Sequence, residues 1–447
     1  MVPEAMDEWA NSARIEELAR LLAHHSNLYY NNASPEITDA EYDAFFDELK
    51  QLAPEHPQLF KVGSDPVPGS EKVDHLFPMR SLDKATEEEE VAHFVAETTA
   101  HGSRFVCQPK LDGSALSLEY RRGRLIRAAT RGNGERGEDV TANARRIRNI
   151  PESIDWEGDA HVRGEVVMPL DVFRKKYASI APNPRNLAAG SLRQKTADAG
   201  KGDAADLTFH AYGVMFPSPQ NRHPDSPEPP AFTNDSEAID WLESNQIAAA
   251  GNEVVEGEDD EAVTQAILEV TKRWTENRDN AEWEIDGVVI KLDDLAKREL
   301  LGETAHHPRW ALAWKFPPEE ASTVVMGVDW QTGRTGTVTP VARVAPVTVS
   351  GVTVENTTLH NAGEIERLGI CIGDRVRIVR RGDVIPKIIE VLGEAKSSDL
   401  ENRLHADGTR FNDSLPKRED VLTPEQCPRC ETNLQQDGAF IRCFNLN

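Results

Sequence analysis

The sequence predicts a multidomain α+β protein. Three observations carry that prediction: helical periodicity in the opening segment, alternating strands with intervening helices through the middle, and closely spaced β runs leading to a cysteine cluster at the end. A chain of 447 residues is too long for one ordinary core, so three or more modules are expected. The expected boundaries are 1–76 for a helical module, 77–321 for a mixed domain, 322–415 for a β domain and 416–447 for the cysteine segment.

In the first module, Thr38 and Glu41 form a T-x-x-E capping pattern before Tyr42, Phe45, Phe46, Leu49 and Leu52 at helical spacing, and Pro54 and Pro57 end that helix. Beyond the loop at 63–70 the periodicity changes to two, as in Ala115–Tyr120 and Leu125–Thr130, with Gly and Asn turns between runs. A proline-rich loop at 217–230 and an acidic loop at 257–261 read as surface insertions, the second just before an amphipathic helix carrying Val263, Ile267, Val270 and Trp274. From Val324 onward the runs 338–344, 347–354, 375–380 and 384–391, with glycines between them, predict a small barrel. A charged stretch from 396 to 420 then leads to the cysteines.

Apolar runs such as Val166–Leu170 are far too short to cross a bilayer, so no membrane partner is expected. The first eight residues carry Glu4, Asp7 and Glu8 and no basic cluster ahead of an apolar stretch, which argues against a secretory signal and for a cytoplasmic address. The charge balance is unusual: 76 acids against 50 bases give a net charge of −26. Taken alone this argues against nucleic acid, and it suits a halophile's salt-rich cytoplasm, where ions screen the self-repulsion. Within the acidic chain lies a basic island, Arg121, Arg122, Arg124, Arg127, Arg131, Arg136, Arg145, Arg146 and Arg148 against Glu135, Glu138 and Asp139. It reads as a nucleic-acid footprint or, more plainly, as a solvated basic face.

The chemistry centres on Lys110-Leu111-Asp112-Gly113, a lysine at the end of an apolar strand with an acid and a glycine turn behind it. A lysine attacks phosphorus only when unprotonated, which burial or neighbouring cations favour. Four residues recur by chance, so the segments downstream decide. Thr130-Arg131-Gly132-Asn133-Gly134 is a glycine-rich turn with an arginine for a ribose or phosphate, and Arg163-Gly164-Glu165-Val166 places a carboxylate on a strand. Asn183-Pro184-Arg185-Asn186, running on to Arg193, adds two arginines. Ile285-Asp286-Gly287, running on to Lys291, adds an acid and a lysine, and Trp314-Lys315-Phe316-Pro317 adds the last cation. Together they supply a nucleophile, cations for phosphate charge and hard oxygens for Mg2+ or Mn2+, the parts that phosphoryl transfer needs.

In this order the segments resemble the nucleotidyltransferase superfamily of ligases and capping enzymes, and most closely the bacterial-type NAD-dependent DNA ligases, over essentially the whole chain. The resemblance implies a helical NMN-binding module, a nucleotidyltransferase (adenylation) domain, an OB-fold β-barrel and an incomplete zinc finger. It implies that Lys110 takes AMP from NAD+ and releases NMN, that the AMP passes to the 5′-phosphate of a nick in double-stranded DNA, and that 3′-hydroxyl attack closes the strand. This is the chemistry of DNA replication and repair by a monomer. By the same match Asp112, Arg131, Glu165, Lys291 and Lys315 contact the adenylate or its metal, while Arg185, Arg193, Arg278 and Asp286 fall on further active-site and DNA-contacting positions. Gln108 stands where the family usually has glutamate beside the adenine, and its amide can still hydrogen-bond a base edge.

The helical module argues for NAD+ over ATP. Asp39 and Asp43 lie four apart on one helix face beside Tyr42, a like-charge pair that a cationic nicotinamide would relieve, and Tyr29 and Tyr30 could stack on such a ring. These residues match the family's NMN site, although Tyr30 replaces a histidine found in some members; a plain amphipathic helix with exposed acids is the alternative. In the β domain, Gln331-Thr332-Gly333-Arg334-Thr335-Gly336 and Thr358-Leu359-His360-Asn361 resemble the family's OB-fold. Arg334 and Arg380, with Arg375, Arg377, Arg381 and Lys387, would then meet phosphates, unless the barrel is purely structural.

Cys427-Pro428-Arg429-Cys430, followed thirteen positions later by Cys443, reads as three ligands of a four-cysteine zinc module, with redox-active or incidental cysteines as the alternative. In the family the fourth cysteine follows a few positions further on, beyond Asn447, implying a shortened chain without the helix-hairpin-helix and BRCT domains that come later. Cys107 and Cys371 are expected to be buried packing. Two rival functions remain: an ATP- or GTP-using RNA ligase or capping enzyme, and a DNA-binding clamp with an inactive site.

Overall fold

The helical spacing of the opening segment is realised as α1 (Pro3–Tyr30) and α2 (Asp39–Leu52) in the computed structural model. That structure describes residues 3–30, 37, 39–54, 56–60, 71–98, 104–181, 183–194, 202–304, 307–317, 319–333, 336–349, 352–380, 386–437 and 440–445. Leu18 and Leu22 of α1 pack with Leu49 and Leu59, all fully or nearly fully buried, and Tyr42, Phe45 and Phe46 lie against them. Each such leucine is worth roughly 2 kcal/mol of burial. Arg14 clasps both oxygens of Glu48 at 2.7 Å, tying the two helices. The side chains of the Thr38–Glu41 capping pattern lie outside the described residues.

Two compact units make up the chain: Met1–Glu36 with Glu41–Pro317, and Ile37–Ala40 with Pro318–Asn447. After α2 the first unit continues with β1 (Lys72–Asp74), β2 (Asp83–Ala85), α3 (Glu88–Thr98), β3 (Arg104–Leu111), β4 (Ser114–Arg121), β5 (Arg124–Thr130) and β6 (Arg136–Glu138). Then come α4 (Thr141–Ala144), β7 (Ala160–Val167), α5 (Leu170–Val172), α6 (Pro184–Arg193), β8 (Thr208–Met215), α7 (Asp235–Ser244), β9 (Glu253–Glu256), α8 (Asp260–Glu276), β10 (Ile285–Leu292), α9 (Leu295–Leu301) and β11 (Ala311–Lys315).

These strands form two principal sheets, ordered β2-β11-β10-β3-β9 and β5-β4-β7-β8. Alternation fixes what each face carries. In the first sheet Phe105, Cys107, Val288, Ile290, Leu312 and Trp314 pack under Val91 and Val95 of α3 and Val263, Ile267 and Val270 of α8. In the second, Leu116, Leu118, Val162, Val166 and Phe209 pack with Leu187 and Leu192 of α6 and Ile239 and Leu242 of α7. The opposite faces are therefore the polar ones. The chain passes from one sheet to the other at Asp112-Gly113, where a Cβ on Gly113 would stand 2.1 Å from the Val166 carbonyl oxygen. Only glycine allows so close an approach.

The second unit contains β12 (Glu319–Thr332), β13 (Thr337–Val349), β14 (Val352–Thr358), α10 (Ala362–Leu368), β15 (Cys371–Ile372), β16 (Asp374–Arg380) and β17 (Lys387–Glu394). Among the described residues, β12-β16-β17-β14-β13 close into a ring through the β12–β13 pairing, with β14 and β17 parallel. This is the expected small barrel, its interior filled by Val325, Ala342, Val344, Val354, Val376, Ile378 and Ile388. Two boundaries differ from expectation: 338–344 is continuous with the residues up to Val349 in β13, and the run expected at 347–354 is divided between β13 and β14, with Val349 paired to Val352. A bulge between Arg343 and Val347 absorbs Pro346, which cannot donate to a ladder. Beyond β18 (Glu419–Asp420), β19 (Gln435–Asp437) and β20 (Phe440–Arg442) extend the barrel sheet through pairing of β20 with β13.

Candidate active site

The site is built on a bulge in β10. Gly287 pairs with Lys110 of β3 on one side and Lys315 of β11 on the other, while Asp286 is skipped by the register. Cross-strand partners share a face, so the two lysines flank a residue without a side chain. Both oxygens of Asp286 stand 3.0 Å from Lys110 Nζ, and Oδ2 lies 2.5 Å from Lys315 Nζ. Burial alone would push the Asp286 carboxyl up, but the two ammonium groups outweigh it and hold it far below the usual carboxylate range. The bridging carboxylate is ionised at any physiological pH.

The second sheet contributes Glu165 from β7, opposite Ala115 of β4. Burial pushes the Glu165 carboxyl up to about 7, against the pull of Arg185, Lys110 and Arg131 and with the help of Asp112. That balance places all five groups in one neighbourhood. Arg185 is aimed by local sequence: Asn183 caps α6 by accepting from the Asn186 N–H at 2.7 Å, Pro184 takes the first turn, and Arg185 then reaches buried Asp112 in a short ion pair. Arg131 follows β5 directly, and His75 Nε2 lies 3.0 Å from the carbonyl of Thr130 and 3.2 Å from that of Arg131, fixing the turn.

Lys291 and Gln108 share the polar face with Lys110, because Lys291 pairs with Val106 and Gln108 with Val289 in the same register. Gln108 is buried and donates from Nε2 to the Gly251 carbonyl at 2.8 Å. Lys291 donates to the Tyr212 carbonyl at 3.1 Å and sits 2.6 Å from Asp235 Oδ2. Because Tyr212 belongs to β8, this contact joins the two polar faces into one cleft. Its phenol is pushed up to about 12 by burial and by Glu165.

An NAD-dependent DNA ligase adenylation domain matches residues 69–319, the OB-fold domain of the same ligases matches 322–400, and a DNA ligase-like N-terminal NAD+-binding domain matches 8–66. The chain belongs to the NAD-dependent DNA ligase family. A DNA ligase of Acinetobacter baylyi is 38% identical over 96% of this chain and 62% of its own length, and one of Shewanella frigidimarina is 38% identical over 97% and 63%. The chain therefore spans somewhat less than two thirds of the curated ligases it matches.

Other candidate residues of this ligase-family chain pack outside the Lys110–Asp286–Lys315 cluster or lie outside the described residues. The side chains of Tyr29, Tyr30, Asp39 and Asp43 lie outside, as do all of Arg334 and the side chain of Arg380. Tyr42 packs on the small helical core. Arg193 Nε lies 3.1 Å from Glu138, and the Arg278 guanidinium stands 6.0 Å from the centre of the Phe316 ring. The basic island is partly neutralised by acids from elsewhere: Arg136 meets Asp74 at 2.6 Å, Arg146 meets Asp203 at 2.6 Å, and Arg127 meets Glu119 at 3.1 Å. Asp235, Tyr212 and His75 were not legible as site residues. Asp235 looks like an ordinary helix start, and only the fold brings it to Lys291.

In the second unit the sulfurs of Cys427, Cys430 and Cys443 lie within 4.8 Å of one another, those of Cys430 and Cys443 at 3.4 Å. Cys107 is packing, its thiol pushed up to about 12 by burial. Cys371 is buried beside Asp420, with Sγ 3.4 Å from the carboxylate. Among the described residues no helix is long and apolar enough to cross a membrane.

Proposed function

We propose that this chain carries out the ligation chemistry of its family, with Lys110 as the nucleophile. Nζ, once unprotonated, attacks the adenylyl phosphorus of NAD+; the N–P bond forms and the bond to NMN breaks. An oxygen of the 5′-phosphate at a DNA nick then takes the adenylyl group and restores Lys110. Finally the adjacent 3′-hydroxyl loses its proton, attacks that phosphate and expels AMP. The single observation that carries this reading is the arrangement of Lys110, Asp286 and Lys315 around Gly287, facing Glu165 across the cleft.

Each residue has work suited to its surroundings. Asp286 orients Nζ and keeps Lys315 beside it, and Lys315, Lys291, Arg131 and Arg185 offset phosphate charge. Gln108, with its Nε2 committed to Gly251, keeps its oxygen for an adenine edge. Glu165 and Asp112 form a pair of hard oxygens, with Asp112 close enough to help raise the proton affinity of Glu165, a donor set that fits Mg2+ or Mn2+. Such an ion would neutralise charge building on the phosphoryl oxygens. Tyr29, Tyr30, Asp39, Tyr42 and Asp43 are assigned to the nicotinamide end of NAD+, and Arg193, Arg278, Arg334 and Arg380 to DNA.

The converging sulfurs of Cys427, Cys430 and Cys443 fit three of the four thiolates of a structural zinc site. The −26 net charge supports work in a salt-rich cytoplasm, and membership of the family supports action as a monomer on nicked DNA during replication and repair. The test is intact-protein mass after incubation with NAD+ and Mg2+, beside ATP and a Lys110→Ala control. An AMP-sized gain is expected with NAD+ alone and only on the native chain; no gain with NAD+ would sink the reading.

A further inference from the structure

Behind Lys291 lies a buried charged cluster that the ligation chemistry does not itself require. Lys291 is 6% exposed and Arg298, on α9, is 7% exposed, yet both meet one carboxylate, that of Asp235, itself 6% exposed. Asp235 Oδ2 stands 2.6 Å from Lys291 Nζ and Oδ1 2.9 Å from Arg298 Nη1. Arg298 also donates from Nε to the Leu292 carbonyl at 2.5 Å and stacks 4.3 Å over Trp310. Two buried cations beside one carboxylate are costly unless each group is held in good geometry.

That geometry is supplied by the end of β10. Asp293, fully buried, accepts from the N–H of Ser236 at 2.9 Å and from its hydroxyl at 3.1 Å, and its backbone carbonyl accepts from the Asp235 N–H at 2.8 Å. The first turn of α7 is thereby locked two residues after Lys291. Capping of that helix falls to a capping box of Asn234 and Glu237, the latter also accepting from Thr233 N–H at 2.7 Å. The Asp235 carboxylate is not needed for the cap, although the helix N-terminus favours its charge.

We infer that Asp235 is a positioning residue for Lys291: it divides its two oxygens between Lys291 and Arg298 and so presents an oriented ammonium to the nucleotide in the cleft. This rests on the nucleotide-binding reading of that cleft. The charged groups acting on Lys291 are Asp235 from α7, Arg298 from α9 and Asp293 at the end of its own strand, the last already paired with Arg104 at 2.7 Å. One net positive charge is left on the cluster, at the edge of the face that carries Lys110. Burial pulls the Lys291 ammonium down and Arg298 does the same, while Asp235 holds it up.

The two neighbours therefore act with opposite sign, which makes the inference testable without turnover. In protein labelled at lysine Cε with 13C, with the Lys291 resonance assigned through Lys291→Arg, Asp235→Asn should move the Lys291 titration to lower pH, and Arg298→Gln should move it to higher pH. General loosening of the fold cannot give both directions. Unchanged or same-direction titrations would overturn the assignment, whatever the chain does with NAD+. In self-adenylation Asp235→Asn should also raise KM for NAD+ on the order of tenfold, as loss of a close charge partner does, and should bring the alkaline loss of rate to lower pH. A native chain that gains no AMP fails the proposed function, whereas a native chain that gains AMP beside an unaltered Asp235→Asn profile fails this inference.

Discussion

Asp286 holds Lys110 with both carboxylate oxygens, each 3.0 Å from Nζ, and it can do so because the β10 register skips it. The proposed nucleophile is thus gripped at two points by a group that burial would neutralise and that Lys110 and Lys315 keep ionised. Asp286→Asn removes one acceptor and the charge while keeping the shape. The rate of AMP transfer from NAD+ to Lys110 is expected to fall on the order of 100-fold, the scale on which misplacing a reacting group acts. Lys110→Arg should abolish it, since a guanidinium stays protonated. Time-resolved intact mass measures both, and a near-native rate for Asp286→Asn would remove it from the mechanism.

Glu165 predicts a pH dependence. Its carboxyl ordinarily loses its proton near 4.5, and burial raises that to about 7. If the charged form meets the metal or the ribose, self-adenylation should rise with pH through about 7, and Glu165→Gln should flatten that acidic limb at a lower rate. The effect on folding runs the other way. The neutral form favours the folded state, so its contribution is full below about 4.5 and lost as pH rises through about 7. Native Tm should then lose ground against Glu165→Gln across this interval, which thermal melts at matched ionic strength would reveal.

How far the sequence alone foresees this site depends on the kind of signal each residue leaves. Lys110, Asp286 and Lys315 stand in short motifs whose order matches a known family, whereas the shared face of Lys110 and Lys291 depends on the register between β3 and β10. Arg185 is announced by Asn183-Pro184, a helix start with a physical reason. What is not legible is convergence across long separations. Asp235 lies in a stretch that reads as a helix cap, and nothing local says that its carboxylate lands between Lys291 and Arg298. Similarly, the arginines between 121 and 148 look like one free basic surface, but Asp74 and Asp203 come from other segments to pair with two of them. The break expected between 344 and 347 is absent, because Pro346 sits in a bulge within a continuous β13.

Gly287 is the position where the fold and the chemistry share one constraint. A Cβ there would meet the Trp314 carbonyl oxygen at 1.9 Å, and that carbonyl belongs to a strand with its own ladder to keep. Gly287→Ala should therefore push β11 away, costing about 1–3 kcal/mol of stability as overpacking does. Since Lys315 is the residue paired with Gly287, the same shift should loosen the Lys315–Asp286 contact and reduce self-adenylation by more than the loss of folded protein explains. Comparing Tm with activity per folded molecule separates the two effects.

The acidic surface predicts opposite salt responses for stability and for DNA. At −26 the folded chain repels itself, and screening shortens from about 8 Å at physiological salt to about 3 Å at 1 M. Tm should rise with KCl over that range. Affinity for nicked DNA should fall over the same range, because phosphate contacts lose the gain from counterion release. A Tm that stays flat or falls would mean that the acids are spaced too widely, or paired too well, for repulsion to matter.

The cysteine segment makes the last prediction, and it separates the two units. The sulfurs of Cys427, Cys430 and Cys443 converge within 4.8 Å, and β20 carries Cys443 back onto the barrel through its pairing with β13. Zinc held there would stabilise the second unit, whereas Lys110 and its partners all belong to the first. Treatment with a zinc-selective chelator, followed by return of Mg2+, should lower the melting of the barrel and leave the rate of AMP transfer to Lys110 unchanged. Cys430→Ser should do the same and reduce bound zinc measured by elemental analysis. Equal zinc in native and Cys430→Ser protein would refute a metal role for this cluster, and loss of self-adenylation on chelation would show that the cluster reaches further than its own unit.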